Sequence, residues 1–505
     1  MESNLVPDKN QNWKWLTLGD VAEFINGDRG KNYPGPLDRV EIGVPFINTG
    51  HIETTGGLSD RKMEYISREK YNQLGSGKVK PGDIVYCLRG STIGKTAKNH
   101  YSEGAIASSL IIIRANKNIN QDFLYYFLIS PAGQSLATMN DNGSAQPNLS
   151  GRVLASYPLQ IPNLKTQISV SNVLRDLDNK IQLNQQTNQT LEKMAQTLFK
   201  SWFVDFDPVF DNLLAKADFK LENLTSDLPE ALLKRAQKRL LALDDKAKTA
   251  LLSANLSSEV NSSEETLSEE ASQTNIHKHF PSEFEHNEKL GWIPKGWQVK
   301  ELSQLVKHQK GFPFKSAWYQ DEGHLVVRVS DTTEDSINVN SCNKISEELA
   351  AEYSSYALKE NDLVIATVGS WPPNYSSVVG KVIRVPRTAK EGLLNQNAVK
   401  LTVSSEYSFH QGFLHYSLKN PRFMSYIVNR AQGSANQASI TLKSIFKFPM
   451  LIANDDVMKS FSAQVKFNFD KQNLNDEEIQ SLTRLRDMLL PKLISGELQI
   501  PEADL

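Results

Sequence analysis

The sequence predicts a mixed α+β protein: two similar α/β modules separated by two long helices that pair as an antiparallel coiled coil. Three observations carry that prediction. The second half of the chain repeats the first, each copy holds short strand-like apolar runs punctuated by Gly, Pro and Asn clusters, and a heptad pattern follows each copy.

The repeat is explicit at the residue level. Trp13, Leu18, Val21 and Gly27 return as Trp297, Leu302, Leu305 and Gly311 at a constant offset of 284. Pro45-Phe46-Ile47-Asn48 corresponds to Leu325-Val326-Val327-Arg328, and Val79-Lys80-Pro81-Gly82-Asp83-Ile84-Val85 to Leu358-Lys359-Glu360-Asn361-Asp362-Leu363-Val364. Asp122-Phe123-Leu124-Tyr125-Tyr126 corresponds to Gly412-Phe413-Leu414-His415-Tyr416, and Gly143-Ser144-Ala145-Gln146 to Gly433-Ser434-Ala435-Asn436. At 505 residues the chain is too long for one core. The repeat divides it into a first module (1–160), a first helical region (161–205), a connector (206–290), a second module (291–450) and a second helical region (451–505).

Within the first module, Asp83-Ile84-Val85-Tyr86-Cys87-Leu88 and Ser109-Leu110-Ile111-Ile112-Ile113 read as strands, and 121–137 as one helix leading into a Gly-Ser-Ala-Gln-Pro loop. From 170 to 202 a heptad fits: Leu174, Ile181, Asn188, Ala195 and Trp202 share one seam position, and Val170, Leu177, Asn184, Leu191 and Leu198 the other. The second copy places Val465, Gln472, Ile479, Arg486 and Leu493 on the first seam, and Phe461, Asn468, Asn475, Leu482 and Leu489 on the second, so Asn184 and Asn475 coincide in register. A buried seam asparagine costs stability but fixes alignment, which suits two helices that must pair in one way. Trp202 and Phe203 read as exposed helix flanks that need a partner. In the connector, 228–243 reads as a helix and the Ser/Glu-rich tract 253–272 as a flexible tether.

The overall charge of −2 hides its distribution. Residues 1–160 carry 17 Lys+Arg against 15 Asp+Glu, net +2, and 291–450 carry 18 against 13, net +5, whereas 251–290 carry 2 against 8, net −6. Both modules therefore lean basic, which permits a nucleic-acid partner without proving one. No apolar run approaches the roughly 20 residues of a membrane span, and the polar start Met1-Glu2-Ser3-Asn4 points to a cytoplasmic location. The two cysteines, Cys87 and Cys342, read as packed residues of strand-like segments, and build neither a disulfide framework nor a cysteine zinc site.

Catalytic motifs are missing. Gly90-Ser91-Thr92-Ile93-Gly94-Lys95-Thr96 has three residues between its glycines where a phosphate-binding P-loop has four, and no apolar helix follows it. Trp371-Pro372-Pro373-Asn374-Tyr375 lacks the polar first residue and the adjacent aromatic of an amino-methyltransferase motif. No dinucleotide-binding glycine turn, zinc helix, nucleophile elbow or nuclease cluster occurs, and the nine histidines share no ligand spacing between copies. What both copies repeat is polar loops. The candidate DNA contacts are Arg29, Lys31, Asn32, Arg89, Ser91, Lys95 and Lys98 in the first, and Lys310, Lys315, Ser370, Asn374, Tyr375 and Lys381 in the second. Arg and Lys suit guanine edges and phosphates, and Asn suits adenine. Each of these residues, taken alone, also fits an ordinary solvated surface. The stretch 370–381 is seven residues longer than its counterpart 91–95, an insertion that would give the two modules different targets.

Several segments resemble the specificity subunits of type I restriction-modification systems. They are Leu191-Glu192-Lys193-Met194-Ala195-Gln196-Thr197-Leu198-Phe199-Lys200 running into Trp202-Phe203-Val204-Asp205-Phe206, then Gly291-Trp292-Ile293-Pro294-Lys295-Gly296-Trp297. Gly143-Ser144-Ala145-Gln146-Pro147-Asn148-Leu149-Ser150 and the ending Leu485-Arg486-Asp487-Met488-Leu489-Leu490-Pro491-Lys492-Leu493-Ile494-Ser495-Gly496-Glu497-Leu498 complete the set. The resemblance implies two target-recognition domains, each reading one half of a split double-stranded DNA site, with the helices acting as a ruler. It further implies a non-catalytic subunit that holds two methyltransferase (modification) subunits and is joined by restriction/translocase subunits. S-adenosylmethionine, ATP and Mg would then act on those partners, with no cofactor, metal or membrane contact in this chain. Three other readings compete: a coiled-coil scaffold without DNA specificity, a recognition subunit of a related multisubunit modification or phage-defence system, and a self-contained methyltransferase or nuclease. The acidic, Ser-rich tract departs from a compact family pattern.

Overall fold

A computed structural model describes residues 13–53, 56–60, 63–139, 149–224, 228–257, 276–333, 336–407 and 411–500. The chain divides into two compact units, 1–183 with 479–505, and 184–478. Each unit holds one whole module and part of each long helix.

In the first unit, Lys14–Thr17 pairs antiparallel with Pro158–Ile161, tying the two ends of the module together. The main sheet is antiparallel, in the order Ala22–Asn26, Leu110–Ala115, Ile84–Cys87, Thr96–Lys98. The apolar run in 110–113 is continuous because both faces of this sheet are covered. Ile111 and Ile113 pack with Phe123, Leu124 and Tyr126, while Leu110 and Ile112 pack with Val85, Cys87, Ala97 and Ile47. Full burial of each such side chain stabilises by about 1.5–3 kcal/mol. A smaller sheet orders Arg39–Val40, Glu64–Ile66, Val44–Ile47 and Ala105–Ile106, with the last pair parallel.

The helix expected over 121–137 is broken in two, Gln121–Ile129 and Pro131–Met139. Pro131 has no N–H to continue the first helix. Gly133 then crosses so close to it that a Cβ there would lie 2.3 Å from the Phe127 carbonyl oxygen. The Gly-Ser-Ala-Gln-Pro loop (143–147) lies outside the described residues.

The second module reproduces this plan inside the second unit. Gln298–Glu301 pairs with Pro449–Ile452, and the main sheet runs Val306–Lys310, Ala398–Val403, Leu363–Ala366, Val382–Arg384. The smaller sheet is Asn343–Ile345, His324–Val327, Leu393–Leu394, and the helix pair breaks again at a proline, into Gln411–Lys419 and Pro421–Val428. A further sheet, Val368–Gly369, Gln437–Ser439, Gln432–Ser434, joins the inserted loop to the Gly-Ser-Ala-Asn segment.

Much of the region read as a connector is packed. Asp207–Lys216, Glu230–Ala242 and Asp245–Ser257 are helices, and they bring Val209, Phe210, Leu214, Leu232, Ala236 and Leu251 into the core of the second unit. Asp211, buried, accepts from Arg239 at 2.7 and 2.8 Å and lies 3.1 Å from His277 Nε2. Most of the acidic tract, 258–275, lies outside the described residues.

The long helices are Leu164–Lys200, 37 residues, and Asp455–Ile494, 40 residues. Within the second unit Asn184 Nδ2 donates to Glu478 at 2.8 Å, and Asn188 Nδ2 to Asp476 at 2.8 Å. Within the first, Arg486 Nη1 donates to Asp178 at 3.0 Å. Numbers that rise along one helix meet numbers that fall along the other, so the pairing is antiparallel in both units. Val170, Leu174, Ile181, Asn184 and Ala195 are buried as the heptad predicts, with Phe461, Val465, Gln472, Asn475 and Leu493 on the second helix. The seam asparagines are satisfied by hydrogen bonds, which offsets their desolvation. Asn475 Nδ2 donates to Asn188 Oδ1 at 2.7 Å, while Asn184 bonds to Glu478.

Trp202 and Phe203, expected to be exposed, are buried. The first helix ends in one π turn, Ser201–Asp205, which carries both rings. Phe203 lies 5.1 Å from Phe461 and 5.0 Å from Phe413, and Trp202 lies 5.1 Å from Phe280. Cys87 ends a strand and Cys342 precedes one; both are buried free thiols, and burial pushes Cys342 up to about 12. Among the described residues no helix is long and apolar enough to cross a membrane.

Candidate nucleic-acid interface

In the first module the loop after Ala22–Asn26 turns at Gly27, pressed against the chain so that a Cβ would lie 2.7 Å from the Ala107 carbonyl oxygen. Asp28 then organises the loop, accepting from the Arg29 N–H at 2.8 Å and the Gly75 N–H at 2.7 Å. Burial pushes the Asp28 carboxyl up, but the N–H groups of Gly75, Arg29 and Ser76 and the Asn32 side chain outweigh it and hold the group below the ordinary carboxylate range. Arg29, at φ −142° and ψ 163°, opens a 3-10 turn over Gly30–Asn32. Arg89, at φ −142° and ψ 150°, opens another over Gly90–Thr92. Gly30 and Gly90 take positive φ, 73° and 79°, which glycine alone adopts freely. The structure brings Arg29 and Arg89 to one open cleft of about 620 Å³, together with Asn26, Gly27, Asp28, Ser76, Leu88 and Ser150. Lys31 and Ser91 are exposed, and Asn32 and Lys95 are half-buried.

Lys98, a candidate contact from the sequence, is half-buried and paired within the first unit. Its Nζ donates to Asp122 at 2.6 Å and sits 5.5 Å from the centre of the Tyr125 ring. Asp122 also accepts from Arg175 of the long helix at 3.1 Å. Lys98 therefore ties the sheet to the helices.

The second module starts from the same constraint and diverges. Gly311 is held so close that a Cβ would meet the Asn395 carbonyl oxygen at 1.9 Å. Aromatic packing follows in place of a charged turn: Phe312 lies 4.5 Å from Tyr353, and Phe314 5.6 Å from Tyr353. Lys310 is exposed at the strand end, and exposed Lys315 lies 5.3 Å from the Trp318 ring centre. The inserted loop is held from within: Ser370 Oγ donates to the Asn374 carbonyl oxygen at 2.7 Å, and Trp371 Nε1 to that of Ser434 at 2.8 Å. Asn374 and Tyr375 are left exposed at its tip.

Lys381, a candidate contact in the second module, is buried. It is only 7% exposed, with Nζ 3.3 Å from Thr332 Oγ1, where it closes the turn that leads into the edge strand Val382–Arg384. The hairpin Gln432–Ser439, which is not among the candidate contacts predicted from the sequence, is a further polar surface. Gln432, Ser434, Asn436, Gln437 and Ser439 are exposed on it, and the repeated Gly-Ser-Ala-Asn/Gln segment was the available signal. Among the described residues no three His, Cys, Asp or Glu side chains are grouped to hold a metal ion.

The chain is similar to several known proteins. The family profile described as the type I restriction modification DNA specificity domain matches residues 10–193. The HindI type I restriction enzyme specificity subunit of Haemophilus influenzae is 28% identical over 510 residues, covering 96% of this chain and 99% of that protein. The MjaIX specificity subunit of Methanocaldococcus jannaschii is 23% identical, covering 97% of this chain and 95% of its own. The crystal structure of a type I S subunit from M. genitalium aligns over 98% of this chain and 99% of its own at 13% identity, with a TM-score of 0.49. The profile match over 10–193 and the end-to-end relatives make the chain similar to type I restriction-modification specificity subunits.

Proposed function

We propose that this chain is the sequence-reading, non-catalytic subunit of a type I restriction-modification complex, with one module for each half of a bipartite double-stranded DNA site. One observation carries the reading: the two modules share their core strands and helices, yet differ in the loops that expose polar side chains. Arg29, Lys31, Asn32, Arg89, Ser91 and Lys95 serve the first half-site, and Lys310, Lys315, Ser370, Asn374 and Tyr375 the second. Methyl transfer with S-adenosylmethionine, and ATP- and Mg-dependent translocation and cleavage, are assigned to two modification subunits and to restriction subunits. Met194, Phe467, Leu474 and Met488, large apolar residues left exposed on the long helices, offer contact area to such partners.

Methylome sequencing of a host that expresses this chain with its modification subunit is the direct test. A split, asymmetric, adenine-containing motif is expected. A continuous motif, or no motif, overturns the proposal.

A further inference from the structure

We infer that the half-site read by the first module contains guanine at two positions, and that Arg29 and Arg89 each read one of them. The inference rests on the DNA-reading function proposed above.

The two arginines are presented by the same device. Each takes an extended conformation with φ −142°, and each opens a 3-10 turn whose first residue is a left-handed glycine. Each turn closes alike, Tyr33 N–H onto the Gly30 carbonyl at 3.0 Å and Ile93 N–H onto the Gly90 carbonyl at 3.1 Å. A Cβ at Gly30 or Gly90 would meet nothing within 4 Å, so both turns project. Both exposed guanidinium groups line one cleft.

A DNA backbone presents the same phosphates beneath either module. A feature devoted to phosphate has no reason to be confined to one copy, whereas a feature devoted to a base does. The arginines are confined to one copy. At the 284 offset that relates Gly27 to Gly311, Arg29 becomes Pro313. At the 279 offset that relates Ile84–Cys87 to Leu363–Ala366, Arg89 becomes Val368. The cleft also holds the ionised Asp28 carboxylate, already bonded within its loop, whose charge disfavours a phosphate there. A neutral base edge suffers no such repulsion. Among the four bases only guanine offers two adjacent acceptors, O6 and N7, in the major groove, and these match the parallel N–H donors of a guanidinium fork.

The test uses the full chain with its modification subunit. The methylome gives the motif, and replacing residues 13–160 with those of a relative assigns one half-site to the first module. That half-site is expected to contain two guanines. Arg29→Gln and Arg89→Gln should each relax one guanine position, leave the other half-site unchanged, and weaken cognate duplex binding by about 5- to 150-fold. 7-deazaguanine, which lacks the N7 acceptor, should weaken the wild type at each position but not the variant that has lost the matching arginine. A first half-site without guanine overturns the inference, as does an unchanged motif in both variants. So does an equal loss on all sequences with a shallower salt dependence, the mark of phosphate contacts. A wild-type complex with no split motif instead refutes the DNA-reading function, and this assignment falls with it.

Discussion

Changing Glu192 and Tyr416, singly and together, is predicted to expose one strong bond between the first long helix and the second module. Tyr416, 2% exposed, donates its hydroxyl to Glu192 Oε2 at 2.8 Å. Lys419 Nζ approaches the other carboxylate oxygen at 3.4 Å, and His415 Nε2 lies 3.8 Å away. Burial pushes the Glu192 carboxyl up, but His415, Lys419 and Tyr416 outweigh it and hold the group well below the ordinary range, so it is ionised at neutral pH. A hydrogen bond to a charged group contributes about 1.5–3 kcal/mol. Tyr416→Phe should therefore cost about 2 kcal/mol. Glu192→Gln should cost about 3 kcal/mol, because it also leaves the mostly buried Lys419 without its counter-charge. The double variant should cost less than the sum, with a coupling of about 1.5 kcal/mol. Hydrogen exchange of peptides covering Gln411–Lys419, in a urea series, reads these losses locally. A coupling under about 0.5 kcal/mol would show that the hydroxyl and the carboxylate act independently, and the argument for this anchor would fail.

Three further outcomes can be measured. Phe461→Ala removes a fully buried ring that meets Phe199, Trp202, Phe203 and Phe413; it should cost about 3–5 kcal/mol in denaturant unfolding, and a loss under about 1 kcal/mol would mean that the cluster is loosely packed. Lys98→Met and Lys381→Met should lower stability while leaving the salt dependence of DNA binding unchanged, whereas Lys310→Gln and Lys315→Gln should each reduce the slope of log affinity on log salt by about 1; the reverse pattern would return Lys98 and Lys381 to the DNA surface. Burial holds His415 below its ordinary 6.5, against the opposing pull of Glu192. Its contribution is complete above pH 6.5 and is lost as pH falls, because the unfolded chain takes up the proton first. Between pH 6.5 and 5.5 the wild type should lose more stability than His415→Gln, and equal losses would rule out a depressed value.

The sequence disclosed whatever is fixed by periodicity or by steric necessity. Gly27 and Gly311 stand out in the repeat because each is jammed against a carbonyl where no side chain fits. The helical seam was legible because burial on a helix recurs every three or four residues, as it does at Val170, Leu174, Ile181 and Asn184. What stayed hidden depends on partners distant in sequence. Phe203 lies off the heptad seam, in the π turn, so its burial against Phe413 and Phe461 could not be counted forward from the heptad. The helices of 207–257 follow a similar logic. Their packed faces are completed by Trp297 and Phe284, which follow the acidic tract that suggested a tether. Among the candidate contacts, Lys31 and Lys98 are equally basic in the sequence; only the fold places Asp122 beside one of them.

The composition of the first unit bears on the order of synthesis. Its core includes Leu490, Leu493 and Ile494, which leave the ribosome only after the whole of the second unit has been made. The amino-terminal module therefore waits, with part of its apolar surface bare, until the last helix arrives. A stop codon late in the reading frame would therefore remove part of the core of the module that was translated first.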